Sequence, residues 1–551
     1  MKQLRNLLLL VLLAIGTFAC KNDDPEEVLS IASITPQQGT VGTEVTITGT
    51  KFSATAADNV VKFDGITAAI KSATSSKLVV IVPEGTTAGK ITVTVSGQTV
   101  NSASSFTVST RTEANVSDLA DNVATNGYEI KTNKTLTADK VWLLKGFVYV
   151  TSGATLTIEP GTIIKGVKGV QSVPDANGGV TGSTASSGTL VIEAGGKINA
   201  VGTAEKPIVF TSSKDAGTRS YGDWGGVVLI GKSPTNQPNL GFEGGIRGTY
   251  GNYTDAADNS GTLQYVRIEF AGTPLSTKSN SEINGLTLYG VGSGTTIDHI
   301  QVSYSGDDSY EWFGGTVAAK YLVAFRGWDD DFDTDHGFSG KVQYGVSLRD
   351  PKIADQSKSN GFESDNDGNS STLTPFTSGI FANISVFVTD GTPSDATQSG
   401  NGGYQAAMHL RRNTSLSVYN SVFVGYPVGL LLDGTKTYNK AITDSLNVKG
   451  VVLSNMTTAV KGAGITDTQA TTFFNTTAYG NSIVALTDLK LNAANFTLAG
   501  PSFLPQSGSP LLTGGAAVPS GFESTSYKGA FNTTDWTATW TNWDPQNTSY
   551  K

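Results

Sequence analysis

The chain has 551 residues, 15% of them charged, with 38 basic against 47 acidic side chains and a formal net charge of −9. That length is too great for one compact core, and an acid excess with no basic stripe argues against a nucleic-acid partner. Sixty-four glycines among recurring apolar β-formers suit a turn-rich all-β protein, a single cysteine rules out a disulfide framework, and three scattered histidines rule out a histidine-built zinc site.

In chain order, Lys2 and Arg5 precede an apolar run, Leu7 to Ile15, that is too short to span a bilayer; small residues and then Cys20 follow. This resembles a bacterial lipoprotein signal. The resemblance implies removal of residues 1–19, a covalent lipid on Cys20 and a lipid anchor in the outer membrane. Next comes Lys21-Asn22-Asp23-Asp24-Pro25-Glu26-Glu27. It is similar to the acidic surface-export signal of Bacteroidetes lipoproteins, so residues 20–28 are expected to be a tether that displays the protein on the extracellular side.

Residues 29–108 carry period-two alternation, as in Val45, Ile47 and Gly49 or Ile91, Val93 and Val95, punctuated by glycine and proline. That pattern marks the strands of a β-sandwich. The segments Ile34-Thr35-Pro36, Val41-Gly42-Thr43 and Val45-Thr46-Ile47-Thr48-Gly49, followed by Phe52, resemble an IPT/TIG domain, an immunoglobulin-like fold. No catalytic constellation stands in this module, and a spacer role is expected.

Residues 109–134 read as linker and N-terminal cap, and 135–551 as a right-handed parallel β-helix with a C-terminal cap around Trp536, Trp540 and Trp543. Short strands alternate with glycine turns, and no amphipathic helix is expected. Gly153 to Gly161 and Gly188 to Gly196 are self-similar, which suggests solenoid rungs. A 22-residue step aligns Ile300, Leu322 and Tyr344, then Val302, Ala324 and Val346, and also Tyr310 with Phe332. Asn284-Gly285-Leu286-Thr287, Trp328-Asp329-Asp330-Asp331-Phe332-Asp333 and Gly361-Phe362-Glu363-Ser364 resemble an uncharacterised family of bacterial β-helix lipoproteins. That family supports the fold and implies no reaction.

The same step stacks Asp307 on Asp329, Asp308 on Asp330, and Glu311 on Asp333, with Asp355 expected one coil beyond. Period two places Asp329, Asp331, Asp333 and Asp335 on one face. Like charges one strand spacing apart repel, so the row either lies open to solvent or is bridged by a hard cation. Calcium takes 6–8 oxygen ligands, and it is the expected cofactor at Asp307, Asp308, Glu311, Asp329, Asp331, Asp333 and Asp335. The spacing is not that of an EF-hand, because His336 replaces the turn glycine and Val342 the closing glutamate. Trp312, Trp328 and Arg326 are the candidate ligand-binding side chains, since sugar rings stack on aromatic faces.

The expected function is therefore binding of an extracellular polymer, with a glycan as the first expectation, beside an outer-membrane transporter or other protein complex. Two alternatives remain open. One is a calcium-dependent polysaccharide lyase or hydrolase, for which Lys320, Arg326, Arg349, Arg411 and Arg412 are conceivable bases. The other is a structural or assembly lipoprotein with a protein partner. No catalytic residue is singled out.

Overall fold

The computed structural model describes residues 27–83, 85–109, 111–169, 186–273, 282–388 and 402–550, with two short strands, Val173–Pro174 and Val180–Thr181, between the third and fourth segments. Cys20 and the acidic tether up to Glu26 lie outside the described residues. The chain divides into two compact units between Arg111 and Thr112. Among the described residues no helix is long and apolar enough to cross a membrane.

The first unit is a sandwich of a four-stranded and a five-stranded sheet, with antiparallel pairings except for one short parallel pair, Gln38–Gly39 on Thr107–Val108. The alternating residues Val45, Ile47, Ile91 and Val93 are wholly buried, and their threonine neighbours face outward. Phe63 and Phe106 meet edge-to-face in this core at 5.2 Å.

The second unit is a parallel β-helix. Each coil gives one strand to a twelve-stranded front sheet and a pair, or one bent strand, to a seventeen-stranded back sheet. The central coils run through β1 (Gly261–Glu269), β2 (Leu286–Tyr289), β3 (Thr296–Ser303), β4 (Tyr310–Phe313), β5 (Ala318–Phe325), β6 (Phe332–Asp335), β7 (Lys341–Arg349), β8 (Phe362–Ser364), β9 (Ile380–Val388) and β10 (Ala406–Leu410). β1, β3, β5, β7 and β9 belong to the back sheet and the others to the front. Each back strand bends at one residue of positive φ: Tyr265 (50°), His299 (52°), Tyr321 (57°), Tyr344 (63°) and Asn383 (57°). Bulky side chains seldom adopt that conformation. Here the rings stack on one another at 4.4, 4.4 and 5.0 Å from Tyr265 through His299 and Tyr321 to Tyr344, so each coil supports the corner of the next.

Stacking in register places like residues above like. Ile300 pairs with Leu322, Val302 with Ala324, and Tyr310 with Phe332. The 22-residue step then ends. Leu322 pairs with Gly345 and Ala324 with Ser347, in place of Tyr344 and Val346, because the next coil is one residue longer. The self-similar segments are not successive coils either. Leu156 stacks on Ile198 in the back sheet and Leu190 on Val148 in the front, so the repeat is a strand-and-turn unit that recurs within a coil.

Two expectations about the C-terminal region are corrected. Two short helices occur, α1 (Thr435–Ile442) and α2 (Asp467–Phe474), the second closed by a Thr466–Gln469 capping box. The late tryptophans do not form an end cap. The chain after Thr513 turns back along the bent corner as a strap. Ala516 bonds Asn420, Glu523 bonds Gln343, Asn542 bonds Gln301, and Tyr550 reaches Glu269. Trp540 is buried edge-on against Tyr265 and His299.

Candidate functional site

The site lies where turns from successive back strands enter the front sheet. In β2, β4, β6, β8 and β10 the inward column is Leu286, Tyr310, Phe332, Phe362 and Met408. The adjacent outward column is Thr287, Glu311, Asp333, Glu363 and His409. In the coils before β4 most of the outward face is apolar, Thr287 apart, and it packs with Phe242, Ile246 and Tyr250 from the 231–260 loop.

A second column climbs through the turns. Asp308 donates its N–H to Asn284 Oδ1 (3.2 Å), and Asp330 N–H goes to Asp308 Oδ1 (2.8 Å). Asn360 N–H goes to Asp330 Oδ1, and Ala406 N–H to Asn360 Oδ1 (3.1 Å). Each side chain thus satisfies the backbone of the coil above, an economical answer to the demand that buried N–H groups be paired. Asparagine and aspartate serve equally as acceptors here. They differ in the other atom of the head group.

At the two ends of this ladder the amide donates to an acid. Asn284 Nδ2 bonds Glu311, and Asn360 Nδ2 donates to Glu363 Oε2 at 3.1 Å. In the middle, the side chains of Asp308 and Asp330 carry no N–H of their own, and Asp330 Oδ2 itself accepts from Asn360 Nδ2 at 3.4 Å. They face Asp307, Glu311, Asp329 and Asp333, and three triads result: Asp307–Asp308–Asp329, Asp308–Glu311–Asp333 and Asp330–Asp333–Glu363. Within each triad one oxygen per residue lies within 4.8 Å of the others. Glu243, from the 231–260 loop, adds to the field felt by Glu311 and Asp307.

The electrostatics divide sharply. Burial, reinforced by neighbouring carboxylates, pushes Asp307, Asp308, Glu311, Asp330, Asp333 and Asp335 well above the usual carboxylate range. The same causes push Asp329 up to about 7 and Glu243 up to about 7. No lysine or arginine ion-pairs with Asp307, Asp308, Glu311, Asp329, Asp330, Asp333 or Asp335 among the described residues. One coil higher the pattern reverses. Burial opposes ionisation of Glu363, but His409 and Arg411 outweigh it and hold its carboxyl below the ordinary value. Arg411 and Arg412 also clasp Asp365, at 2.8 and 2.5 Å.

Three sequence expectations are corrected here. Asp331 does not share a face with Asp333 and Asp335. It is sealed inside the coil, bonded to Arg349 Nη1 at 2.9 Å and to Ser347 at 2.6 Å, because the turn before β6 breaks the period-two count. Trp312 is wholly buried between Tyr310 and Phe338, with no surface for a ligand. The residue above Asp333 is Glu363 and not Asp355, since the intervening turn carries extra residues. Trp328 is half-buried, edge-on to Tyr221 at 5.1 Å, and Arg326 bonds Asp350 at 2.5 Å while lying over the Tyr304 ring.

The sequence reading omitted Asp330, Glu243, Asn284 and Thr287 from the site. A signal existed for two rungs, since Asn284-Gly285 and Asn360-Gly361 both open a front strand. None existed for Glu243, which an insertion brings in.

A family model for the pectate-lyase-like β-helix domain matches residues 128–497. The chain belongs to that family. A second model, the IPT/TIG domain, matches residues 29–109, so this pectate-lyase-like protein carries an immunoglobulin-like module ahead of its β-helix. No curated protein matches it. Among solved structures it is similar to an auxiliary nutrient binding protein from Bacteroides thetaiotaomicron, at 21% identity and a TM-score of 0.15. That match covers 16% of this chain and 22% of the other, so the chain spans about a fifth of that protein's length. It is also similar to a family 28 exopolygalacturonase from Yersinia enterocolitica, at 9% identity and a TM-score of 0.22, over 80% of this chain and 98% of the enzyme. Dex49A from Penicillium minioluteum matches at 11% identity and a TM-score of 0.22, over 80% and 81% of the two chains. A β-helix domain of this family is compatible with glycan binding or with a glycan-active role.

Proposed function

We propose that this pectate-lyase-like protein is an outer-membrane lipoprotein, anchored through lipid on Cys20 and facing outward, whose front sheet binds a glycan with the help of a divalent cation. It works beside an outer-membrane transport complex, with the IPT/TIG module as spacer. The observation that carries the reading is the run of buried carboxylates between the Asn284 and Asn360 rungs, which no lysine or arginine of the described residues pairs. Charges cannot stay buried and unpaired; they take up protons or gain a counter-ion. The donors are all oxygens, and oxygen-only sets at several carboxylates suit calcium. Asp307, Asp308, Glu311, Asp329 and Asp333 would hold the ion, and it would supply a positive centre for the acidic or hydroxyl oxygens of a sugar.

Binding is preferred to lyase chemistry because each conceivable base is already engaged. Lys320 pairs with Glu523 on the strap, and Arg326 with Asp350. Arg349 is sealed in the core, while Arg411 and Arg412 are held by Glu363 and Asp365. The test is affinity electrophoresis of the full chain through a panel of neutral and acidic polysaccharides, with calcium and with chelator. Retention that needs calcium and leaves the polymer intact is expected. No retention on any polymer, or release of unsaturated uronates, would overturn the reading.

A further inference from the structure

We propose that the acid row binds two divalent cations, in adjacent sites that share Asp308. This deepens the cation-binding reading above and rests on it. Of the three triads, Asp307–Asp308–Asp329 and Asp308–Glu311–Asp333 have Asp308 in common. The third, Asp330–Asp333–Glu363, is set apart because Glu363 already has Arg411 and His409 as counter-charges. Among the described residues, positive side chains therefore serve the upper triad and not the two lower ones.

Asp308 is built to bridge. It is 7% exposed, and Oδ1 is fixed by Asp330 N–H at 2.8 Å, which orients Oδ2 without using it. Carboxylates that bridge paired ions hold them about 3.5–4 Å apart, close to the ~4.8 Å step between stacked strands.

A polar group outside the acid row points to a ligand at the Asp308–Glu311–Asp333 site. Thr287 is 1% exposed, stands in register directly below Glu311 on the outward face, and its hydroxyl has no hydrogen-bond partner. A buried hydroxyl without a partner is rare and asks for an explanation, which a bound ion or its water supplies. In the other triad, Asp329 Oδ1 is buried and unpartnered, while its Oδ2 is held by Ser357 at 2.9 Å. The two triads together contain five carboxylates and no nitrogen or sulfur donor, so the class of ion is hard and divalent, calcium first. Two such ions carry nearly the opposite charge of the five acids, and the remaining coordination positions are free for ligand oxygens.

Native mass spectrometry and calorimetry of the chelator-stripped full chain, titrated with calcium alone, test the count. Two ions per chain are expected. Asp308→Asn keeps the Oδ1 acceptor for Asp330 and should lose both ions. Asp329→Asn and Glu311→Gln should each retain one, and the double variant none. One ion in the unaltered chain, or one retained by Asp308→Asn, would overturn the two-site proposal and leave the single-cation reading standing. No ion in the unaltered chain would overturn that reading itself. Should Asp308→Asn fail to fold by circular dichroism, the two single variants and their double still decide the count.

Discussion

Asp308 Oδ1 accepts the backbone N–H of Asp330, one coil above, at 2.8 Å. One carboxylate thus joins two coils and stands with Glu311 and Asp333 in one triad of acids. Structure and site chemistry are coupled at this atom, and substitutions there should separate them. In chelator, Asp308→Asn keeps the acceptor and removes a buried charge, so it should melt at or above the temperature of the unaltered chain. Asp308→Ala leaves Asp330 N–H unsatisfied and should cost about 1–3 kcal/mol. In calcium the asparagine variant should lose its advantage. Thermal unfolding of the three proteins in both buffers checks this order.

The pH dependence of the cation-free protein should have an unusual sign. Asp329 and Glu243 are raised to about 7 in the folded chain, and six other acids lie well above their ordinary range. A raised acid favours the folded state while it stays protonated, and that contribution is lost as pH rises through its folded pKa. His336, lowered to about 4 by burial, acts oppositely: it destabilises the fold as pH falls from about 6.5 towards 4. One histidine is set against many acids. In chelator the melting temperature should therefore fall as pH rises from about 5 to about 8, and saturating calcium should abolish the fall. A chelated protein that grows steadily more stable over that range would contradict the assignment.

Arg349 and Asp331, both with side chains 0% exposed, form a pair inside the coil, and Arg349 also donates to the carbonyls of Trp328 and Asp329. Arg349→Met should cost about 3–5 kcal/mol by leaving Asp331 buried and unpaired, and Asp331→Leu added to it should recover most of that. Denaturant melts of the single and double variants measure the coupling. Calcium affinity should fall in both, because the turn that carries Asp329 loses its anchor.

Much of this architecture was legible in the sequence, for stated reasons. The alternation of Val45 and Ile47, or Ile91 and Val93, identified the sandwich, and the 22-residue step found the true partners Ile300–Leu322 and Glu311–Asp333. It failed where coil length changed. One extra residue moved Leu322 onto Gly345, and the longer turn before β8 brought Glu363 to Asp333. Period two also failed at Asp331, where a turn, and not a strand, decides which way the side chain points. The insertion that carries Glu243 and the strap that brings Trp540 to His299 are long-range contacts with no local signature.

The strap should act as a staple across the bent corner. Trp540 is 1% exposed against the Tyr265–His299 stack, and Tyr550 lies near Arg219 and Arg267 with its hydroxyl on Glu269 at 2.6 Å. Trp540→Ala should cost about 3–5 kcal/mol. Hydrogen exchange should quicken in β1, β3 and β5, which the strap covers, and remain unchanged in α2. Uniform quickening across the β-helix would argue against a local staple.

The most direct test is anomalous diffraction from crystals of the full chain grown in calcium. We expect a peak about 2.3–2.6 Å from oxygens of Asp308, Glu311 and Asp333, which stand on two coils and meet only if those coils stack in register. Well-ordered carboxylates at those three residues with no peak among them would contradict the account.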